Sequence, residues 1–126
     1  HGLFLLKFNA WMDRHLTTSK DAEDMSFILD NYFMANLERN VYPEVYDWED
    51  FDEYVAGAYW LANDLASLLT QEQLAYYADM IDRELQLEER SRLISQTLNS
   101  QSGLTYDQVK RAWQTIYKVW SIRHFE

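Results

Sequence analysis

Cysteine is missing from this sequence of 126 residues. Disulfide scaffolds, cysteine zinc sites and thiol nucleophiles are excluded with it. Glycine occurs three times and proline once, too little punctuation for an all-β fold, which needs turn residues roughly every ten positions. Gly2, Gly57 and Gly103 stand far apart, so no Gly-rich loop exists to cradle a phosphate and no Gly-x-Ser-x-Gly elbow to carry a nucleophile. Bases are also scarce. Lys and Arg number 11 against 21 Asp and Glu, a net charge of −10. A nucleic-acid binder needs a basic face to displace counterions, so direct nucleic-acid binding by this chain is not expected. Long apolar runs are absent too: Ala56–Ala62 falls far below the roughly 18 residues that a membrane helix needs. No membrane association is expected. Gly2 to Leu6 is too short for a secretory h-region, which points to a cytoplasmic protein.

What the chain does contain is apolar and aromatic. At 48% apolar and 16% aromatic residues it can fill a core and is not disordered. Its length fits a single domain over residues 1–126. The charge is concentrated: residues 21–53 hold eleven acids and one base, Arg39, while the other acids and bases cancel. This stretch is either a solvated face with a helix N-terminus or an electronegative patch for a basic protein partner.

Apolar residues recur at helical spacing almost throughout, which predicts an all-α bundle of five or six helices. A first helix spans Gly2 to His15, and Ser19 caps a second with Met25, Ile28, Leu29, Tyr32 and Phe33 inward. Asn40 to Tyr46 reads as the longest loop. A third helix runs from about Glu49 to Leu69, striped by Phe51, Tyr54, Val55, Ala58, Leu61, Leu65 and Leu68. Thr70-Gln71-Glu72-Gln73 and Thr105-Tyr106-Asp107-Gln108 are capping boxes for two later helices. Between them a weaker fifth helix covers about Glu88 to Asn99.

Metal sites find little support. The Glu-x-x-His pattern of di-iron bundles is missing, since Met12 precedes His15 and Ser121 precedes His124 by three. Three His without Cys make no zinc site, and His15 reads as an imidazolium at a helix end. In Asp50-Phe51-Asp52 the two side chains diverge by about 200° at a helix start, which argues against a Mg²⁺ pair. One cluster remains. Lys7 interrupts Leu3-Phe4-Leu5-Leu6-Lys7-Phe8 and shares a face with Leu3, Ala10, Trp11 and Arg14. Asp21 and Asp24 lie one turn apart beside Lys20. Lys7, Arg14 and Lys20 at a helix N-terminus can bind an anion, or the set is an ordinary group of interhelix salt bridges.

These residues carry a resemblance. Gly2-Leu3-Phe4-Leu5-Leu6-Lys7-Phe8-Asn9-Ala10-Trp11-Met12-Asp13-Arg14, followed by Lys20-Asp21-Ala22-Glu23-Asp24-Met25, resembles the later motifs of AbiEii/AbiGii-type nucleotidyltransferase-like proteins. The likeness covers roughly residues 2–35, with the motif-bearing helices within about 2–37. It implies the helical C-terminal part of a two-part enzyme. An N-terminal domain with a Gly-Gly or Gly-Ser motif and an Asp-x-Asp strand would bind Mg²⁺ and the nucleoside triphosphate. By position, Lys7 would contact nucleotide phosphates with Arg14 and Lys20 nearby. Asp21 and Asp24 would position Lys7 or help activate the acceptor hydroxyl. Family members are linked to toxin–antitoxin and phage-defence systems, with tRNA as one type of acceptor.

This chain has neither the Gly-Ser motif nor a metal-binding strand, so transfer is not expected from it alone. His1-Gly2 without an initiator Met fits a piece of a longer protein whose missing N-terminal domain is the first partner. A rival reading is an acidic helical interaction module. A HEPN-type RNase is a third, but no Arg stands at the required distance before His15 or His124.

Overall fold

The computed structural model describes residues 2–124. It is an all-α bundle of six helices, with no strand among the described residues. They are α1 (Gly2–Arg14), α2 (Lys20–Ala35), α3 (Glu53–Ala66), α4 (Gln71–Gln86), α5 (Arg92–Leu98) and α6 (Tyr106–His124). Short 3₁₀ turns at Leu37–Arg39, Pro43–Asp47 and Glu88–Arg90 complete the regular structure. No helix among the described residues is long and apolar enough to cross a membrane.

The centre of the bundle is α3, which packs against α2 on one side and α6 on the other. The predicted single stripe understates it: Tyr54 to Ala58, Trp60 to Asn63, Leu65 and Ala66 are all buried. Such all-round burial marks an interior helix rather than a surface one. Gly57 is what lets α2 come so near. A Cβ there would stand 2.7 Å from the Leu29 carbonyl oxygen and 3.3 Å from the Phe33 nitrogen. The helix also starts later and ends earlier than its apolar spacing suggests. Asp52 is the cap, its Oδ1 accepting from the Tyr54 and Val55 amides, and Phe51 and Leu68 lie outside the helix on the exposed surface.

Both predicted capping boxes form. Thr70 Oγ1 accepts from Gln73 N at 3.1 Å while Gln73 Oε1 accepts from Thr70 N at 2.9 Å. Thr105 and Gln108 repeat the exchange at 3.1 and 3.3 Å. Ser19 differs. It stands at the N-cap of α2, yet its hydroxyl donates to Glu23 Oε2 at 2.7 Å and caps no backbone amide. The segment read as the longest loop, Asn40 to Tyr46, overlaps the 3₁₀ turn Pro43–Asp47, which Pro43 opens from its first position. The fifth helix is shorter than predicted, because Glu88 to Arg90 form a separate 3₁₀ turn and Ser91 caps Arg92–Leu98.

Four tryptophans, Trp11, Trp60, Trp113 and Trp120, are fully buried. Three satisfy their indole N–H: Trp60 to the Tyr42 carbonyl, Trp120 to the Ala62 carbonyl and Trp11 to Gln96 Oε1. Gln96 in turn donates to the His15 carbonyl at 2.9 Å. That side chain clasps the end of α1 to α5, just before the turn that leads into α2.

Candidate functional site

Helix α1 is amphipathic, with Phe4, Phe8 and Trp11 in the core. Phe8 meets Trp113 and Tyr77 edge to face, which sets the rotation of α1. Lys7 therefore comes out at the margin of the interface rather than beneath it. Its Nζ lies 2.8 Å from Asp24 Oδ2, and the two side chains are 26% and 37% exposed. Two turns further on, Arg14 donates through Nε and a terminal nitrogen to the two oxygens of Asp21, at 2.7 and 2.8 Å. Asp21 is wholly buried while Arg14 is half exposed.

The electrostatics follow from these contacts. The Arg14 hydrogen bonds hold the Asp21 carboxyl below the usual carboxylate range against the opposing effect of burial, and the charges of Arg14, Lys7 and Lys20 add to them. Arg14 is raised in turn, first by its hydrogen bonds to Asp21. A fork-to-fork pair of this kind fixes geometry as well as charge.

Of the five residues singled out in the sequence, four form two ion pairs across the α1–α2 interface. Lys7 is joined to Asp24 and Arg14 to Asp21, and the Lys7 charge is near enough to act on Asp21. Lys20 is exposed and acts on Asp21 through its charge. Chemically the two pairs differ. Lys7 and Asp24 are open to solvent, so an arriving phosphate oxygen can share the ammonium with Asp24. Asp21 has both oxygens engaged and no exposed surface, so it acts on its surroundings through Arg14.

Other candidates resolve into structure. Asp52, besides capping α3, accepts from Gln108 Nε2, and the Asp50 carbonyl accepts from Arg111. His15 stacks on Trp11 with ring centres 4.4 Å apart, its Nδ1 3.1 Å from the Trp11 carbonyl at the end of α1. The side chain of His124 lies outside the described residues. No group of three His, Cys, Asp or Glu able to hold a metal ion exists among the described residues.

Two features gave no signal in the sequence. One is the Gln96 clasp, which joins residues more than eighty positions apart. The other is a cluster under α2, where the Tyr32 hydroxyl donates to Asp64 Oδ2 and Arg39 reaches the same carboxylate at 3.1 Å. Burial and then the Asp64 contact push the Tyr32 phenol far up. Neither Asp64 in an apolar helix nor Arg39 in an acidic stretch advertises the other. Compared with protein-family models, curated proteins and solved structures, the chain matches none.

Proposed function

We propose that the chain is the helical part of an AbiEii/AbiGii-type nucleotidyltransferase-like protein, lending Lys7 to a cleft shared with a separate catalytic domain. The observation that carries this reading is the solvent-reachable Lys7–Asp24 pair, near the pair that half-exposed Arg14 makes with buried Asp21. In this role Lys7 contacts nucleotide phosphates, Asp24 orients its ammonium, and Arg14 with Asp21 holds the two helices in register. Lys20 adds positive charge at the rim. The Mg²⁺ and nucleoside triphosphate implied by the resemblance belong to the accompanying domain, as does selection of the acceptor, for which tRNA is one type. Toxin–antitoxin biology and a cytoplasmic location come with the same reading.

The test begins with the coding sequence around this chain. A Gly-Ser motif and an Asp-x-Asp strand should precede it. The product of that whole reading frame should then transfer labelled nucleotide to RNA with Mg²⁺. Lys7→Ala should lower that transfer by about two orders of magnitude, the range of a positioned charge at a phosphoryl centre. The chain by itself should show none. Turnover by the chain alone, or full transfer by K7A, overturns the proposal.

A further inference from the structure

An open groove of about 590 Å³ runs along α2 where it meets the end of α3. It is lined by the apolar Phe27, Ile28, Ala35 and Leu68 and, among polar groups, by Tyr32 and the Arg39–Asp64 ion pair. Phe27 and Leu68 are each 68% exposed, large for apolar side chains facing one depression. Met34 lies seven residues after Phe27, on the same helix face, and is also exposed. Contiguous apolar surface of this kind marks an interaction site more often than a monomer's ordinary exterior.

Charge decides what fits it. The helix forming the groove's longer wall belongs to residues 21–53, the stretch with eleven acids and one base. That base, Arg39, is bound to Asp64 and Asn36. Phe27 also borders a second, smaller depression of about 220 Å³ lined by Glu23, Asp24, Ser100 and Gln101. Lys7 offsets Asp24 there, while Glu23 takes only a neutral hydroxyl, that of Ser19. Asp30 and Glu38 are also exposed. The groove is thus an apolar slot whose own charges are paired, with Glu23 beyond Phe27 as the unneutralised acid at one end. A second copy would set acid against acid, and an anionic membrane would be repelled. A cationic partner meets one base, Arg39, whose charge Asp64 offsets.

We infer that this groove docks a basic amphipathic helix of a partner protein. From Phe27 to Ala35 the helical wall spans about 12 Å, some two turns. Apolar side chains at i, i+3 or i+4 and i+7 fill the slot beside Phe27 and Leu68. A Lys or Arg one turn before them reaches past Phe27 toward Glu23. This inference is independent of the nucleotidyltransferase reading and uses neither Lys7 nor Arg14.

The experiment uses a fluorescein-labelled Leu/Lys peptide of about 15 residues in that spacing, titrated with the chain and followed by anisotropy. Controls are the same composition scrambled and a Leu/Glu peptide of the same pattern. The patterned Leu/Lys peptide should bind and both controls should not. Phe27→Asp and Leu68→Glu should each weaken binding by about tenfold or more, with circular dichroism and thermal midpoint unchanged at these exposed positions. Both substitutions add negative charge, so simple electrostatic adhesion predicts tighter binding and groove docking predicts looser. Binding that F27D leaves intact or strengthens overturns the inference. So does equal binding of the scrambled peptide. Sedimentation showing a dimer that F27D dissociates overturns it in favour of a second copy.

Discussion

A buried carboxylate with a half-exposed partner makes Asp21 and Arg14 unequal under mutation. Removing Arg14 leaves a charge in the interior without compensation, whereas removing the Asp21 charge leaves a guanidinium that water can still solvate. Arg14→Met should therefore destabilise the protein clearly more than Asp21→Asn does, both read by urea denaturation at neutral pH. The sign of the pH dependence follows from the lowered Asp21 carboxyl. Its stabilising contribution is full above the unfolded carboxyl value of about 3.9 and is lost as pH falls through the lower folded value. R14M should accordingly lose most of its deficit in strong acid, where Asp21 takes up a proton. A deficit independent of pH would show that packing, not charge, is what Arg14 supplies. Tyrosines report at the other end of the scale. Burial raises Tyr32, Tyr42, Tyr54 and Tyr59, the last to about 12. Their contribution is complete below the free phenol value of about 10 and fades above it. Tyrosine absorbance should rise in two stages, the second coinciding with loss of helical circular dichroism.

Helix boundaries show how far local pattern carries and where tertiary contact takes over. Both Thr-x-x-Gln boxes were readable because the donors they satisfy lie within three residues. Thr70→Ala and Thr105→Ala should each cost about 1 kcal/mol in thermal or chemical unfolding. The start of α3 was less readable. Apolar spacing runs on through Phe51 and Leu68, and only the Asp52 side chain, held by Gln108 from α6, ends the ambiguity. Ser19 misled for a similar reason: Glu23, one turn on, offers its hydroxyl a carboxylate. The Lys7, Arg14, Asp21 and Asp24 set was legible as a cluster, since two helices joined by a short turn must face each other. Which base takes which acid was not, because pairing depends on how Phe8 seats α1 against Trp113. Gly57 supplies a sharper test of packing. Alanine is the better helix former by about 1 kcal/mol, yet its Cβ would press on the Leu29 carbonyl. Gly57→Ala should destabilise the protein by about 1–3 kcal/mol. An increase in stability would mean that α2 and α3 can part without loss.

For the whole molecule, the uneven charge matters more than its sum. One stretch carries the full −10 on α2 and the turns that follow, so repulsion is local and open to screening. Raising salt from about 0.01 to 0.3 M shortens the Debye length from about 30 Å to below 10 Å and should raise the thermal midpoint. A midpoint that falls would assign the larger role to the Lys7–Asp24 and other surface pairs. The Gln96 clasp has a kinetic meaning. It ties α1 to a segment that a ribosome makes some eighty residues later, so α1 leaves the ribosome without α5 and α6 to lie against. During synthesis its apolar side, Phe4, Phe8 and Trp11, waits uncovered. The nascent chain is then most open to chaperone binding until α6 emerges and brings Trp113 onto Phe4 and Phe8.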